Sequence, residues 1–390
     1  MDILPSQRAL FDIPRDVCFL NAASWSPLPF AVQKAGREGV ALKGRPWQLD
    51  RDFTSRQYEC ARASAARLIN ADAGDVALIP SVSYGVATAA KAFAFPAGTR
   101  VLVLEDDHAS PVLEWTARAE RDGFAVDTVK RPADGDWTAA VLSAIARPGA
   151  APLALASISS VHWADGGIVD LDRVAPALRA AGTALLLDAT QSVGILPLDV
   201  KALDPDFAVF PTYKWLVGPY GRAFLYVAKR HHGAAPLEQT AHGRRSVDAE
   251  RTPYLADTAY LEDARRFDMG ERDHFVSLDM AAVGIEMMMA WGTEAIARRL
   301  AMLTAALARG VEDLDVRMTP AAFRAPHILS LGVTGGVPPT VFDALAAEQI
   351  YVAPRLGRLR ISPHVYNDEE DVERFLAVFR RLFGGLKARG

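Results

Sequence analysis

The strongest chemical signal in the chain is a pair of polar groups, each standing just after an apolar run. Leu185-Leu186-Leu187 leads straight into Asp188, then into Ala189-Thr190-Gln191-Ser192-Val193-Gly194. A carboxylate at the end of a buried strand is costly unless it is paired or hydrogen-bonded. The next apolar run ends at Phe210 and opens into Pro211-Thr212-Tyr213-Lys214-Trp215-Leu216-Val217-Gly218-Pro219. A lysine between aromatics and a Gly/Pro turn is a candidate for a partly desolvated amine, which can lose its proton and attack a carbonyl to form a Schiff base. Alone, such a lysine more often snorkels from a loop. The carboxylate and the amine together favour chemistry.

Both groups need a scaffold, and the spacing of apolar runs supplies one. Arg100–Leu104, Phe124–Val129, Pro152–Ser157, Thr183–Leu187, Asp206–Phe210 and Ala223–Val227 read as buried strands. Between them, 111–122, 137–146 and 172–181 read as helices. Short apolar runs bounded by Gly, Pro or Asp suit strands covered on both faces, and strand–helix alternation predicts a mostly parallel α/β sheet. Ligands bind at the carboxyl ends of such strands. The polar stretch 240–266 reads as a linker or a cover over a site. Beyond it, 275–308 carries one long helical period with Met287, Met288 and Met289 inside it, which reads as core filling. Strand-like 328–333 and 359–361, with helices over 339–349 and 368–386, complete a smaller α+β unit. The expected division is a large domain over 16–255 and a small one over 256–390, with residues 1–15 packing on the small one.

Composition narrows the partners. Hydrophobic residues make up 50% and charged residues 23%, with a net charge of −4, which fits a globular chain and lacks the basic footprint of nucleic-acid binding. Two cysteines, Cys18 and Cys60, cannot build a disulfide scaffold or a four-thiolate metal site, so a reducing compartment is expected. No signal-peptide pattern and no apolar run fit for a membrane span stand in the sequence, so the expected location is the cytoplasm, away from membranes.

The two segments, Asp188-x-x-Gln191 and Tyr213-Lys214-Trp215-Leu216-x-Gly218-Pro219, resemble pyridoxal-phosphate enzymes of fold type I, in the class V aminotransferase superfamily. That group includes aminotransferases, cysteine desulfurases, kynureninases, isopenicillin N epimerases and C–S lyases of ergothioneine biosynthesis. The likeness spans nearly the whole chain. It implies that Lys214 holds pyridoxal 5'-phosphate as a Schiff base, that Asp188 pairs with the pyridine nitrogen, and that Gln191 bonds the ring's phenolic oxygen. A carboxylate facing that nitrogen keeps it protonated, so the ring can accept electrons from Cα. By the same resemblance Val82 and Ser83, in Pro80-Ser81-Val82-Ser83-Tyr84-Gly85, bind the phosphate at a helix start, where free N–H groups attract anions. His108 matches the residue stacked on the cofactor ring. Arg360 matches the arginine that grips the substrate α-carboxylate, with Arg355 and Arg358 read as solvated neighbours. Asn21 matches a segment approaching the substrate, and Trp163 falls where desulfurases carry an asparagine.

The departures from the family pattern carry information. Desulfurases place a nucleophilic cysteine shortly before the substrate arginine, but here the segment reads Tyr351-Val352-Ala353-Pro354-Arg355-Leu356-Gly357-Arg358. Persulfide-forming desulfurase chemistry is therefore disfavoured. Pro211 replaces a common serine, which shifts the expected phosphate contact to Tyr213. Gly270-Glu271 stands where relatives lend Gly-Thr to a partner's phosphate site, and a carboxylate there would repel phosphate. Amino-group transfer on an amino acid or amine is the first expectation, in a homodimer. Elimination at a C–S bond and epimerisation are the alternatives, the former because Arg360-Ile361-Ser362-Pro363-His364 resembles the ergothioneine lyases. A nicotinamide dehydrogenase is disfavoured, since no Gly-x-Gly-x-x-Gly follows the first strand. A non-catalytic scaffold would not need Lys214, Asp188 and Arg360 together.

Overall fold

A computed structural model describes residues 3–50, 52–245, 253 and 257–387, with side chains to residue 383. In chain order the main elements are β1 (Cys18–Phe19), α1 (Phe30–Lys43), α2 (Phe53–Leu68), β2 (Val76–Ile79), α3 (Val82–Ala92), β3 (Arg100–Leu104), α4 (Ala109–Asp122) and β4 (Ala125–Val129). Next come α5 (Trp137–Ile145), β5 (Leu153–Ser159), α6 (Leu171–Ala180), β6 (Ala184–Asp188), α7 (Val200–Leu203), β7 (Phe207–Pro211) and β8 (Ala223–Val227). The remainder is α8 (Ser277–Trp291), α9 (Thr293–Arg309), β9 (Leu329–Leu331), α10 (Pro339–Ala347), β10 (Ile350–Tyr351), β11 (Ala353–Arg355), β12 (Arg358–Ile361) and α11 (Glu369–Lys387).

Seven strands form one sheet in the order β2-β8-β7-β6-β5-β3-β4. The pairs from β7 to β4 are parallel, and β8 alone runs against its neighbours. Every residue of β2, β3, β7 and β8 is buried, as expected of a sheet covered on both faces. Because β8 is antiparallel to both β7 and β2, the carboxyl ends of β2, β3, β5, β6 and β7 all open on the same edge. Gly85 sets the helix that follows β2 tightly on the sheet. A Cβ there would sit 2.7 Å from Val209 Cγ2 and 2.9 Å from Ile79 Cδ1.

A second, three-stranded antiparallel sheet, β11-β12-β9, carries the C-terminal site residues. Its period of two puts Leu359, Ile361, Leu329 and Leu331 in the core, and Arg358, Arg360 and Ser330 on the opposite face. The hairpin closes through only two residues, Leu356 (φ 49) and Gly357 (φ 74), the backbone of a type I′ turn. The N-terminal segment joins this unit: β1 pairs in parallel with β10, and Asn21 bridges to Ser362. Arg8 reaches Asp371 at 3.0 Å, and the Gln7 N–H donates to the Val365 carbonyl.

The long helix expected over 275–308 is two helices. Gly292 lies between them at φ 80, ψ 124, a conformation that no L-residue adopts at ease, so the apolar period continues in sequence while the axis breaks. Met288 is fully buried and Met287 packs with Met280 and Val32, which bears out their reading as core filling. Helix α8 lies against α1 and α2. The expected boundary at 255/256 falls outside the described residues, as does part of the 240–266 stretch. Near its end Asp268 is sealed under β2, held by both Arg62 (2.7 Å) and Arg272 (2.7 Å) and by the Leu78 N–H. Among the described residues no helix is long and apolar enough to cross a membrane.

Candidate active site

Asp188, Lys214, Ser83, His108 and Trp163 follow from strands ending at the common sheet edge, while Arg360 comes from the three-stranded sheet and Asn21 from the segment after β1. Asp188 is the last residue of β6, buried, with Oδ1 accepting from the Thr190 N–H at 2.9 Å. Lys214 lies three residues past β7 in a loop locked by Trp215. That fully buried indole donates to Gln191 Oε1 at 2.8 Å, and its carbonyl bonds His364 Nε2 at 3.2 Å. Gln191 in turn donates to the Ala23 carbonyl, so it anchors the lysine loop to the N-terminal segment.

Lys214 is 6% exposed, and burial pushes its amine down to about 7. Arg360 and Arg355 act in the same direction, with Asp188 opposing them. His108 is lowered by its partial burial and then by Lys214, while Asp188, Arg355 and Arg360 also reach it. Lys214, Asp188, His108, Arg360 and Arg355 therefore share one electrostatic neighbourhood. A cleft of about 160 Å³ opens beside Lys214, lined by Ser81, Val82, Ser83, His108, Thr190, Tyr213 and Tyr220 among others.

The floor of that cleft suits an anion. Ser81 caps α3, accepting from the Tyr84 N–H, and its carbonyl takes the Gly85 N–H. The N–H groups of Val82 and Ser83 are thus left at the helix start, where the helix dipole is positive. Ser83 Oγ lies 3.1 Å from Ser81 Oγ. The Tyr213 phenol is pushed up to about 12 by burial, so it stays a neutral donor. Thr190 Oγ1 is buried in the wall with no hydrogen-bond partner among the described residues. An orphaned hydroxyl, a bare helix start and a deprotonatable amine fit a phosphorylated aldehyde with a polar ring.

Arg360 is 1% exposed and reaches the Trp163 carbonyl and Ser24 Oγ, both at 2.7 Å. Among the described residues no carboxylate pairs with it, and burial, then Arg355, bring it down to about 9. Trp163 is half-buried, its indole donating to the Asp106 carbonyl at 2.7 Å and its ring edge-on to His108. Asn21 is held beside the arginine strand by its bridge to Ser362, with Oδ1 buried and without a hydrogen-bond partner among the described residues.

Two expectations need correction. Arg355 is not a solvated charge: it is half-buried, donates to Ser24 Oγ at 2.7 Å and lies over the Trp163 ring. Arg358 is tied down too, bonding Ser330 Oγ at 2.8 Å. Alternation with Leu359 and Ile361 was the signal that could have placed Arg358 and Arg360 on one face; Arg355 joins them because the two-residue turn pairs it opposite Arg358. Ser24 and Thr190 were missed altogether, since a small hydroxyl carries no distinctive spacing. Gly270-Glu271 forms a turn with Glu271 at φ 52, its Gly270 N–H donating to Glu238 Oε2.

An amine desolvated at a sheet edge, facing a carboxylate and a helix-start anion site, defines the pyridoxal-phosphate enzymes of fold type I. Residues 47–375 match the aminotransferase class-V family, and the chain belongs to it. An uncharacterized aminotransferase, YcbU, of Bacillus subtilis is 27% identical over 95% of this chain and 96% of its own. A probable cysteine desulfurase of Pyrococcus abyssi is 26% identical, covering 86% of each chain. The apo structure of a cysteine desulfurase from Thermococcus onnurineus superposes with a TM-score of 0.86 at 23% identity, over 99% of this chain and 100% of that one. The protein is a pyridoxal-phosphate-dependent enzyme.

Proposed function

We propose that the protein transfers the amino group of an amino acid, with Lys214 as the amine that binds the cofactor's aldehyde. The carrying observation is that Lys214 is buried beside the cleft, its amine brought down to about 7 so that half of it is unprotonated at pH 7, within the electrostatic reach of Asp188, Arg360 and Arg355. Bound there, pyridoxal phosphate supplies a carbonyl for the substrate amine and a ring that withdraws electrons from Cα. Asp188 would pair with the ring nitrogen and keep it protonated. Gln191, already engaged by Trp215 and Ala23, keeps one amide hydrogen for the ring oxygen. Val82, Ser83 and Tyr213 would hold the phosphate, and His108 would cover the ring. Arg360 forks onto the α-carboxylate and so fixes which Cα bond faces Lys214. Lys214 Nζ would then be the group that takes and gives back the Cα proton, since an amine near pKa 7 is both base and acid at neutral pH.

Several observations favour transfer over sulfur abstraction. The two-residue turn before Arg360 carries no thiol. Cys18 is buried in β1, its Sγ against the Asp371 carbonyl at 3.4 Å, and burial pushes its thiol well up. Cys60 lies on α2 and is also raised by burial. Both thiols are free, which fits a cytoplasmic enzyme. Trp25 and Tyr220, exposed and stacked at 5.4 Å beside the cleft, favour a homodimer that covers them.

The test is a screen of amino acids against 2-oxo acid acceptors with the reconstituted protein. Transfer predicts one 2-oxo acid released per amino group accepted, and no turnover in Lys214→Ala. Release of pyruvate with ammonia or sulfide, without an acceptor, would overturn transfer in favour of elimination.

A further inference from the structure

Ser24 Oγ accepts from two guanidinium groups at once, Arg360 Nη2 and Arg355 Nη2, each at 2.7 Å. The two cations therefore sit within two hydrogen-bond lengths of one another. Arg355 spends its other terminal nitrogen on the Pro354 carbonyl at 2.6 Å, and its Nε is buried without a hydrogen-bond partner among the described residues. Among the described residues no carboxylate pairs with either guanidinium. Elsewhere Arg62 is matched by Asp268 and Arg100 by Asp127, while the buried Arg222 and Arg299 end on hydroxyl and carbonyl oxygens that they share with no second guanidinium among the described residues. Two like charges forced together in a half-dry site repel, and a second anion relieves that repulsion as well as adding bonds.

One arginine suffices for an α-carboxylate, because a planar fork matches one carboxylate. The second has no role in gripping a monoanion. We propose that Arg355, with Ser24, forms a subsite for a second acidic group on the substrate, so that the enzyme takes amino acids with a short acidic side chain. The hydroxyl of Ser24 uses its lone pairs on the two guanidinium groups, which leaves its proton to donate to that second anion. The spacing sets the length: the two acids straddle one hydroxyl, which fits carboxylates separated by two or three carbons. The Trp163 face under Arg355, 5.6 Å from its ring centre, keeps the guanidinium plane in place.

This rests on the reading of Arg360 as the α-carboxylate anchor, and calorimetry separates the two. The holoenzyme is titrated with maleate, a dianion that cannot react, and in parallel with propionate. Maleate is expected to bind at least tenfold tighter than propionate. Arg355→Gln is expected to cut maleate affinity by about ten- to a hundredfold, the range of one charged hydrogen-bonded pair, with propionate shifted less than threefold. Arg355→Lys, which keeps the charge without the fork, recovers part of the maleate affinity. Retained propionate binding also shows that the variants fold. Equal affinity for the two acids in the wild-type protein, or equal loss of both in Arg355→Gln, overturns the subsite. A protein that selects maleate through Arg355 yet transfers no amino group refutes the proposed reaction and leaves the subsite standing.

Discussion

Lys214 is a charge held where charge is disfavoured. Its amine falls from 10.5 to about 7, first through burial and then through Arg360 and Arg355. Between those two pH values the unfolded chain keeps a proton that the folded protein has released. Stability of the cofactor-free protein therefore rises with pH across that window. The cost is complete below about pH 7 and absent above 10.5. Lys214→Met, similar in length and apolar, should raise the melting temperature of the cofactor-free protein at pH 7 by about 2 °C or more. The gain over wild type should shrink toward zero as the pH approaches 10.5. Scanning calorimetry at several pH values reads it, and a gain independent of pH would assign the effect to packing. The same logic explains why Asp188 and Lys214 were legible from sequence. A charged side chain directly behind an apolar run has few structural excuses, whereas Ser24 and Thr190 are ordinary residues until distant segments meet around them.

At the scale of elements, the hairpin β11–β12 decides what stands in front of Arg360. Its turn forces Leu356 into the left-handed region at φ 49, although the side chain is 54% exposed and packs on little. Asn followed by Gly is the preferred pair for this turn. Leu356→Asn should thus stabilise the fold by about 0.5 to 1 kcal/mol, relief of the strain a bulky residue bears there. Urea denaturation measures this, and a loss of stability would show that Leu356 packs in a way its exposure hides. Six of the seven strands of the large sheet were readable to within two residues, because most of them are runs buried on both faces with a continuous apolar signature; β2 (Val76–Ile79), only four residues long, was not read. The break at Gly292 was not, because the apolar period resumes in phase on the far side. Nor was the antiparallel placement of β8 visible, since a strand's direction leaves no mark on its composition.

For the whole molecule, the uncovered aromatics beside the cleft are the feature to resolve. Trp25 is 62% exposed and Tyr220 is 67% exposed, and Tyr220 lies 4.5 Å from Tyr213 in the cofactor cleft. A homodimer burying this stack predicts twice the chain mass in sedimentation at micromolar concentration, and a shift toward monomer in Trp25→Glu. A monomeric wild-type protein would contradict it. The closure of β1 on β10 has a consequence for synthesis. Cys18 and Phe19 find their partners at Ile350 and Tyr351, and Ser24 meets Arg360 across 336 residues. At roughly 5–20 residues per second, a ribosome needs about 15 to 70 s to make the intervening chain. For that time the apolar run Val17-Cys18-Phe19-Leu20 has no strand to pair with, and is a natural handle for a chaperone. The seven-stranded sheet is complete in sequence by Val227, so it can form first, with the arginine wall of the site arriving last.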